Sequence, residues 1–280
     1  MSKVLLNTAM SAALVLSCGN VLADIVACRG LPTYAQLKLA LKASVPGKAG
    51  GTLRLTTIDA KATGNGGLDL PMWATIVGRD GTVCAVVYSG PAQVSQWFAS
   101  RVISAQKAYT ANSLTVAGAP GIWSTAKLWA PTQPGGFLYG LQASNPVDPA
   151  VAYKGPSSNW GTPNDPLVGK IMGGNNVFGG GVSLWKKGAV AGGLGVSGDT
   201  SCADHNIALR VRDYLVALGI GLADNRAGKY ADNIIYDIVG GHSASGFGHP
   251  TCPGGLEDEI NTQITGIDHT SPGHDDFPNY

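Results

Sequence analysis

The chain predicts a mixed α/β fold of the α+β kind, in which helices cover an antiparallel sheet. Two pairs of β-branched and aromatic runs flank short turns: residues 73–77 with 82–88 about Arg79-Asp80-Gly81, and 182–185 with 189–196 about Lys186-Lys187-Gly188. Three helical stripes stand before, between and after these hairpins. They are Tyr34, Leu37, Leu41 and Val45; then Val94, Phe98, Val102, Ala105 and Tyr109; then Ile207, Val211, Tyr214, Leu215 and Leu218. A hairpin is antiparallel by construction, so this order disfavours a parallel doubly wound sheet.

Met1-Ser2-Lys3, an apolar stretch over 4–16 and Val21-Leu22-Ala23 ahead of Asp24 have the layout of a secretory signal peptide cut after Ala23. A second reading takes Val15-Leu16-Ser17-Cys18 as a lipoprotein box with Cys18 lipidated, although Leu16 fits that box poorly. Gly, Asp, Lys or Asn interrupts every later apolar run, so no membrane span is expected. The expected organisation is a signal peptide (1–23), a domain (24–218) with a loop-rich insertion (113–176), and a C-terminal extension (219–280) packed on the domain. The protein would then be exported, periplasmic or secreted.

Basic residues number 19 and acidic ones 18, and removing Lys3 with the signal equalises them. A neutral chain gives no reason to expect a nucleic acid or other polyanion partner. Glycine reaches 40 of 280 residues, roughly twice the usual share of about 7%. Four cysteines remain after the signal, Cys28, Cys84, Cys202 and Cys252, with no Cys-x-x-Cys pair. Outside the cytoplasm disulfides are the default, and four cysteines allow three connectivities. Element order favours Cys28 with Cys84 and Cys202 with Cys252, one staple at each end.

The first helix runs over 31–45 and stops at Pro46-Gly47. Residues 47–71 read as loop, with a short strand over 52–58. The second helix begins after Gly90-Pro91 and ends near Asn112. The stretch 113–176 is Pro- and Gly-rich, yet Trp123, Trp129, Trp160 and the run Gly136-Phe137-Leu138-Tyr139-Gly140-Leu141 are too apolar for a linker. It is expected to fold onto the core. The second hairpin is glycine-rich, so something should pack closely on it. Ser201 with Asp204 reads as a capping box opening the third helix, which ends at Gly219. One more strand is expected over 233–239, and an acidic tail over the last twenty residues.

Lys107-Ala108-Tyr109-Thr110-Ala111, Pro134-Gly135-Gly136 ahead of Gly140-Leu141, Gly180-Gly181-Val182, and Val190-Ala191-Gly192-Gly193-Leu194-Gly195-Val196-Ser197-Gly198 together resemble the GlcG/HbpS-like family. The glycine-rich hairpin running into Val-Ser-Gly and a helix is the most specific element. The likeness covers about residues 31–218, thins over 113–176 and leaves 219–280 outside. It implies a three-layer profilin-like fold, a homo-oligomer, and haem as cofactor.

Haem asks for an apolar slot, a donor toward the iron and cations for the propionates. The resemblance places Thr110 and Lys107 on its motif, a hydroxyl and a propionate partner. The bland alternative has Thr110 bonded back to a helix carbonyl and Lys107 on a solvated face. Cys202 and His205, three apart at a helix start, can meet one metal or haem iron provided Cys202 is a free thiolate, which a disulfide would remove. His242 and His249 sit in a Gly-rich loop ending at Cys252 and are candidate metal ligands or pocket closers, although two imidazoles fall short of a zinc signature. His269 and His274 in the acidic tail suit weak cation binding or plain solvation. No Gly-x-Ser-x-Gly, Walker loop, His-Glu-x-x-His or nucleotide fingerprint occurs.

The expected function is an exported binding protein for haem or a related flat cofactor, in a sensing or carrier role. One alternative is an enzyme acting on a small organic molecule in a loop-lined pocket, with His205 as acid or base. Another is an oligomeric structural protein without turnover.

Overall fold

The computed structural model describes residues 26–45, 65–118, 123–223, 231–253 and 257–265. The signal peptide, the box at Cys18, the strand expected over 52–58 and the histidines His269 and His274 lie outside them.

Helix α1 (Tyr34–Ser44) opens on a reciprocal cap, in which the Thr33 hydroxyl accepts from the Gln36 amide and the Gln36 side chain accepts from Thr33 N. The first hairpin is β1 (Trp73–Gly78) with β2 (Val83–Tyr88), in the register Trp73↔Tyr88 and Ile76↔Ala85. Its turn is locked by the Asp80 carboxylate, which accepts from the Thr82 amide at 2.9 Å and the Thr82 hydroxyl at 3.0 Å.

Helix α2 (Ser100–Leu114) begins later than the stripe predicts. Residues Gln93–Ser95 form a single 3-10 turn with Val94 exposed. The buried Gln96 side chain holds that turn, accepting from Gly90 N and donating to the carbonyls of Ala92 and Gln93.

Among its described residues the stretch 113–176 contains three short α-helices, α3 (Trp129–Thr132), α4 (Leu141–Ser144) and α5 (Pro149–Ala152), and 3-10 turns at Thr125–Leu128 and Ser157–Asn159. Part of it folds onto the core: Trp160, Leu167 and Met172 pack with Val102 and Ala105 of α2 and Trp73 of β1. Gly169 and Lys170 hydrogen-bond Val83 and so cover the edge of β2. Phe137 and Tyr139 stay exposed, against the expectation for that run.

The second hairpin is β3 (Gly181–Lys186) with β4 (Ala189–Ser197), turning on Lys187 and Gly188, both with positive φ. The sheet order is β2-β1-β4-β3, antiparallel throughout. Helix α6 (Ser201–Ala217) is capped by Thr200, whose side chain accepts from Ala203 N, one residue before the expected Ser201. Asp204 instead accepts from the Asp199 amide.

Alternate sheet residues face opposite layers. Ala74, Ile76, Leu194 and Val196 pack against α1 and α6, while Trp73 and Val77 pack against the α2 side. This is the three-layer, profilin-like α+β arrangement that the resemblance implies. Helix α2 is what packs on the glycine-rich strand. Gly193 and Gly195 lie under its backbone, and a Cβ on either would collide with the carbonyl oxygen of Ala108 or Ser104. Gly195→Ala should therefore cost about 3 kcal/mol, the upper end of overpacking, read as a lowered denaturant midpoint. An unchanged midpoint would mean that α2 moves away freely.

After α6, the strand expected over 233–239 shrinks to β5 (Ile238–Val239), paired with β6 (His242–Ser243). Among the described residues, 231–237 pair with no strand, although Ile235 O accepts from His249 N. They pack on α6 through buried Ile234, the Asp232–Arg212 ion pair and an amide chain joining Asn233, Asn261 and Asn206. Helix α7 (Glu257–Thr265) buries Ile260 and Ile264 in the α1/α6 core, so part of the expected acidic tail is helical. The two bridges are Cys28–Cys84 and Cys202–Cys252, with Cα separations of 5.5 and 6.1 Å. No helix among the described residues is long and apolar enough to cross a membrane.

Candidate functional site

Three consecutive glycine amides entering β3 are captured by side chains from three segments. Gly179 N–H donates to His249 Nε2 at 3.3 Å, Gly180 N–H to His205 Nδ1 at 3.2 Å, and Gly181 N–H to the Thr125 hydroxyl at 2.8 Å. Glycine is required here: Gly180 has φ +119, and a Cβ on it would press on Val196 O, Lys107 Nζ and Asp204 Cβ. Behind this run Lys107 Nζ meets Asp204 Oδ2 at 2.6 Å, with both side chains buried. The half-buried Phe178 ring lies 4.7 Å from the same ammonium.

Burial sets the electrostatics of the cluster. It pulls the Lys107 pKa down against the pull of Asp204, and pushes Asp204 up to about 6 against the pull of Lys107. Burial likewise lowers His205 to about 3 and His249 to about 4, so both imidazoles are neutral at pH 7. Their tautomers follow from their partners. Gly180 N–H takes the lone pair of His205 Nδ1, so the ring proton sits on Nε2, which is buried and has no hydrogen-bond partner among the described residues. His249 accepts at Nε2 and donates from Nδ1 to Pro250 O at 2.7 Å, so both of its nitrogens are engaged.

Several nominated roles are corrected. Cys202 is bonded to Cys252, so it offers no thiolate to a metal or haem iron. The Thr110 hydroxyl donates to Gln106 O and accepts from Asn176 N, which is its structural reading. For Lys107 it is the alternative of a solvated face that is corrected, since the side chain is buried against Asp204. His249 belongs to the cluster, but its two engaged nitrogens remove it as a metal ligand. His242 is exposed on β6, and among the described residues no three His, Cys, Asp or Glu side chains gather as a metal group. A neutral His205 with its pKa near 3 is a poor general base at pH 7.

Sequence reasoning missed Asp204 as the partner of Lys107, and it missed Phe178, Thr125 and Gly179 as parts of the cluster. The run Gly179-Gly180-Gly181 ahead of a strand was the available signal, since it demands a close approach by something.

A scan against protein families matches residues 55–212 to the family described as haem degrading protein HbpS-like. A search of curated proteins gives no match. Among solved structures, a PduOC–haem complex is 23% identical, with 69% of this chain and 94% of that chain covered and a TM-score of 0.41. The Klebsiella pneumoniae protein ORFY, of the DUF336 family, is 22% identical over 66% of this chain and 91% of its own, also with a TM-score of 0.41. The family match takes in α2, all four strands of the sheet and the part of α6 that carries Asp204 and His205, more than half of the sequence. The chain belongs to the HbpS-like family.

Proposed function

We propose that the chain is an exported protein that binds haem, or a related flat cofactor bearing acidic groups, in a carrier or sensing role. The observation that carries this reading is the coincidence of the family match with the stretch that builds the Lys107–Asp204–His205 cluster. The cluster fits the acidic end of such a ligand. His205 offers a buried N–H donor with no partner among the described residues, and Lys107, which already shares its ammonium with Asp204, would add a second donor; both suit a propionate. The nominated side chains do not fit the iron, because the Cys202 sulfur, the Thr110 hydroxyl, both His249 nitrogens and the His205 lone pair are already engaged. Bound haem would supply the redox chemistry; the residues named here bind and orient. The apolar leader at the N-terminus and the two disulfides support an oxidising compartment.

Haemin titrated into the protein and followed to equilibrium at the Soret band is expected to give a saturable one-to-one shift. Lys107→Gln and His205→Phe should each weaken it by about tenfold, the scale of one charge-assisted hydrogen bond. A signal that never saturates in any form of the protein would overturn the reading.

A further inference from the structure

We infer that residues 238–252 form a strap closed over the His205 site and pinned by the Cys202–Cys252 bridge, so that a dithiol reductant opens the site to its flat, acid-bearing ligand. The ligand's identity rests on the proposed function; the strap itself rests on geometry.

The segment lies outside the stretch matched to the family. Its near end is anchored at Asp232, ion-paired with Arg212, and at Asn233, bonded to Asn261. From there it has little regular structure of its own beyond the two-residue strands β5 and β6. Its contacts with the domain are non-covalent along most of its length. Ala130 N–H donates to Gly248 O, the Phe247 ring meets Trp123 and Phe137 edge-on, and His249 takes the Gly179 amide. His249 and His205 thus hold adjacent amides, and the strap's imidazole lies alongside the site. The far end is the disulfide, where Cys252 Sγ also accepts from Cys202 N at 3.3 Å.

Two further observations give the arrangement a purpose. The protonated Nε2 of His205 is fully buried with no acceptor among the described residues, the kind of group a closed fold satisfies unless a ligand is to do so. The bridge lies near the surface on one side: Cys252 is half-buried between exposed Thr251 and Pro253, while Cys202 is buried. Reduction is balanced. The S–S bond breaks, the dithiol delivers two electrons and two protons to give two thiols, and the reductant closes into its own disulfide. With the pin gone, non-covalent contacts alone hold the arm down.

The test uses two probes on the full chain and on Cys202→Ser/Cys252→Ser. Diethyl pyrocarbonate reads access to the His205 imidazole without any cofactor, by peptide mass, and stopped-flow haemin binding reads access for the ligand. The bridge-free chain should show His205 carbethoxylation and a haemin on-rate each raised by about tenfold or more, as local opening without global unfolding allows. A Cys28→Ser/Cys84→Ser chain, which keeps the Cys202–Cys252 pin, is reduced with dithiothreitol and reoxidised; protection of His205 should be lost and then regained, which an unfolded chain would not do. If His205 stays unlabelled and haemin binds equally fast with and without the bridge, the strap is overturned while haem binding stands. If labelling rises but no form binds haemin saturably, the strap stands and the haem reading falls.

Discussion

Replacing Asp165 with alanine is expected to lower the unfolding free energy by roughly 3–5 kcal/mol, because it strands a buried guanidinium. Arg101 Nε donates to Asp165 Oδ2 at 2.9 Å and its Nη2 to Oδ1, while Nη1 donates to Ala152 O at 2.8 Å. Both side chains are out of solvent. The carboxylate also accepts from Gly161 N at 2.6 Å and Leu167 N at 2.9 Å, so it organises the loop that carries Trp160 and Leu167 onto α2. The Trp160 ring lies 4.5 Å from the Arg101 guanidinium carbon and seals the pair. Denaturant melts would show the loss. Limited proteolysis should cut first within residues 148–170, since the loop detaches before the sheet opens. The double variant Arg101→Met/Asp165→Leu should recover much of the stability, because it removes both charges from the interior. A single variant within 1 kcal/mol of the parent would mean that Arg101 finds water or another acceptor there.

The hairpins and two of the three main helices are legible in the sequence because their signals are local. Asp80 bonds two residues along its own chain, and Lys187-Gly188 takes the positive φ values that a tight turn needs. Stripes and caps place α1 and α6 to within a few residues. The start of α2 is illegible because Gln96, a polar residue with no periodic signal, folds back to satisfy the preceding turn. The disulfides follow element order, because hairpin and helix order already bring each pair to one end. The site is legible as residue types and not as roles. Lys107, Thr110 and His205 stand out, but their partners are Asp204, Asn176 and the Gly180 amide, which only the packing of α2, β3 and α6 brings near. The extension was the least readable part. Asn233 and Asn261 look like solvated polar residues until they are found bonding to each other inside the fold.

Acidification should destabilise the protein progressively from about pH 6.5 downward, and the imidazoles decide this. His205 is held neutral to about pH 3 and His249 to about pH 4, both chiefly by burial, whereas an unfolded histidine takes its proton near 6.5. Below pH 6.5 the unfolded chain therefore binds up to two more protons than the folded one, and stability falls as pH falls. Asp204 acts in the opposite sense: its folded pKa of about 6 lies above the ordinary carboxylate value of 3.8, so between those values the folded state binds the extra proton and gains. Around His205 the other charges are Asp232, which favours protonation, and Arg212 and Lys107, which oppose it. Two depressed groups outweigh one raised group, leaving a net loss of roughly 4 kcal/mol between pH 7 and pH 4, a large share of the stability of a typical domain. Thermal melts at pH 7, 5.5 and 4 should show roughly half of the fall by pH 5.5 and the rest by pH 4. His249→Gln, which keeps an acceptor for Gly179 and cannot titrate, should remove most of the net fall, because Asp204 offsets much of what His205 alone contributes. Equal stability at pH 7 and pH 4 would show that both imidazoles are reached by water in the folded protein, and with it that nothing closes over His205.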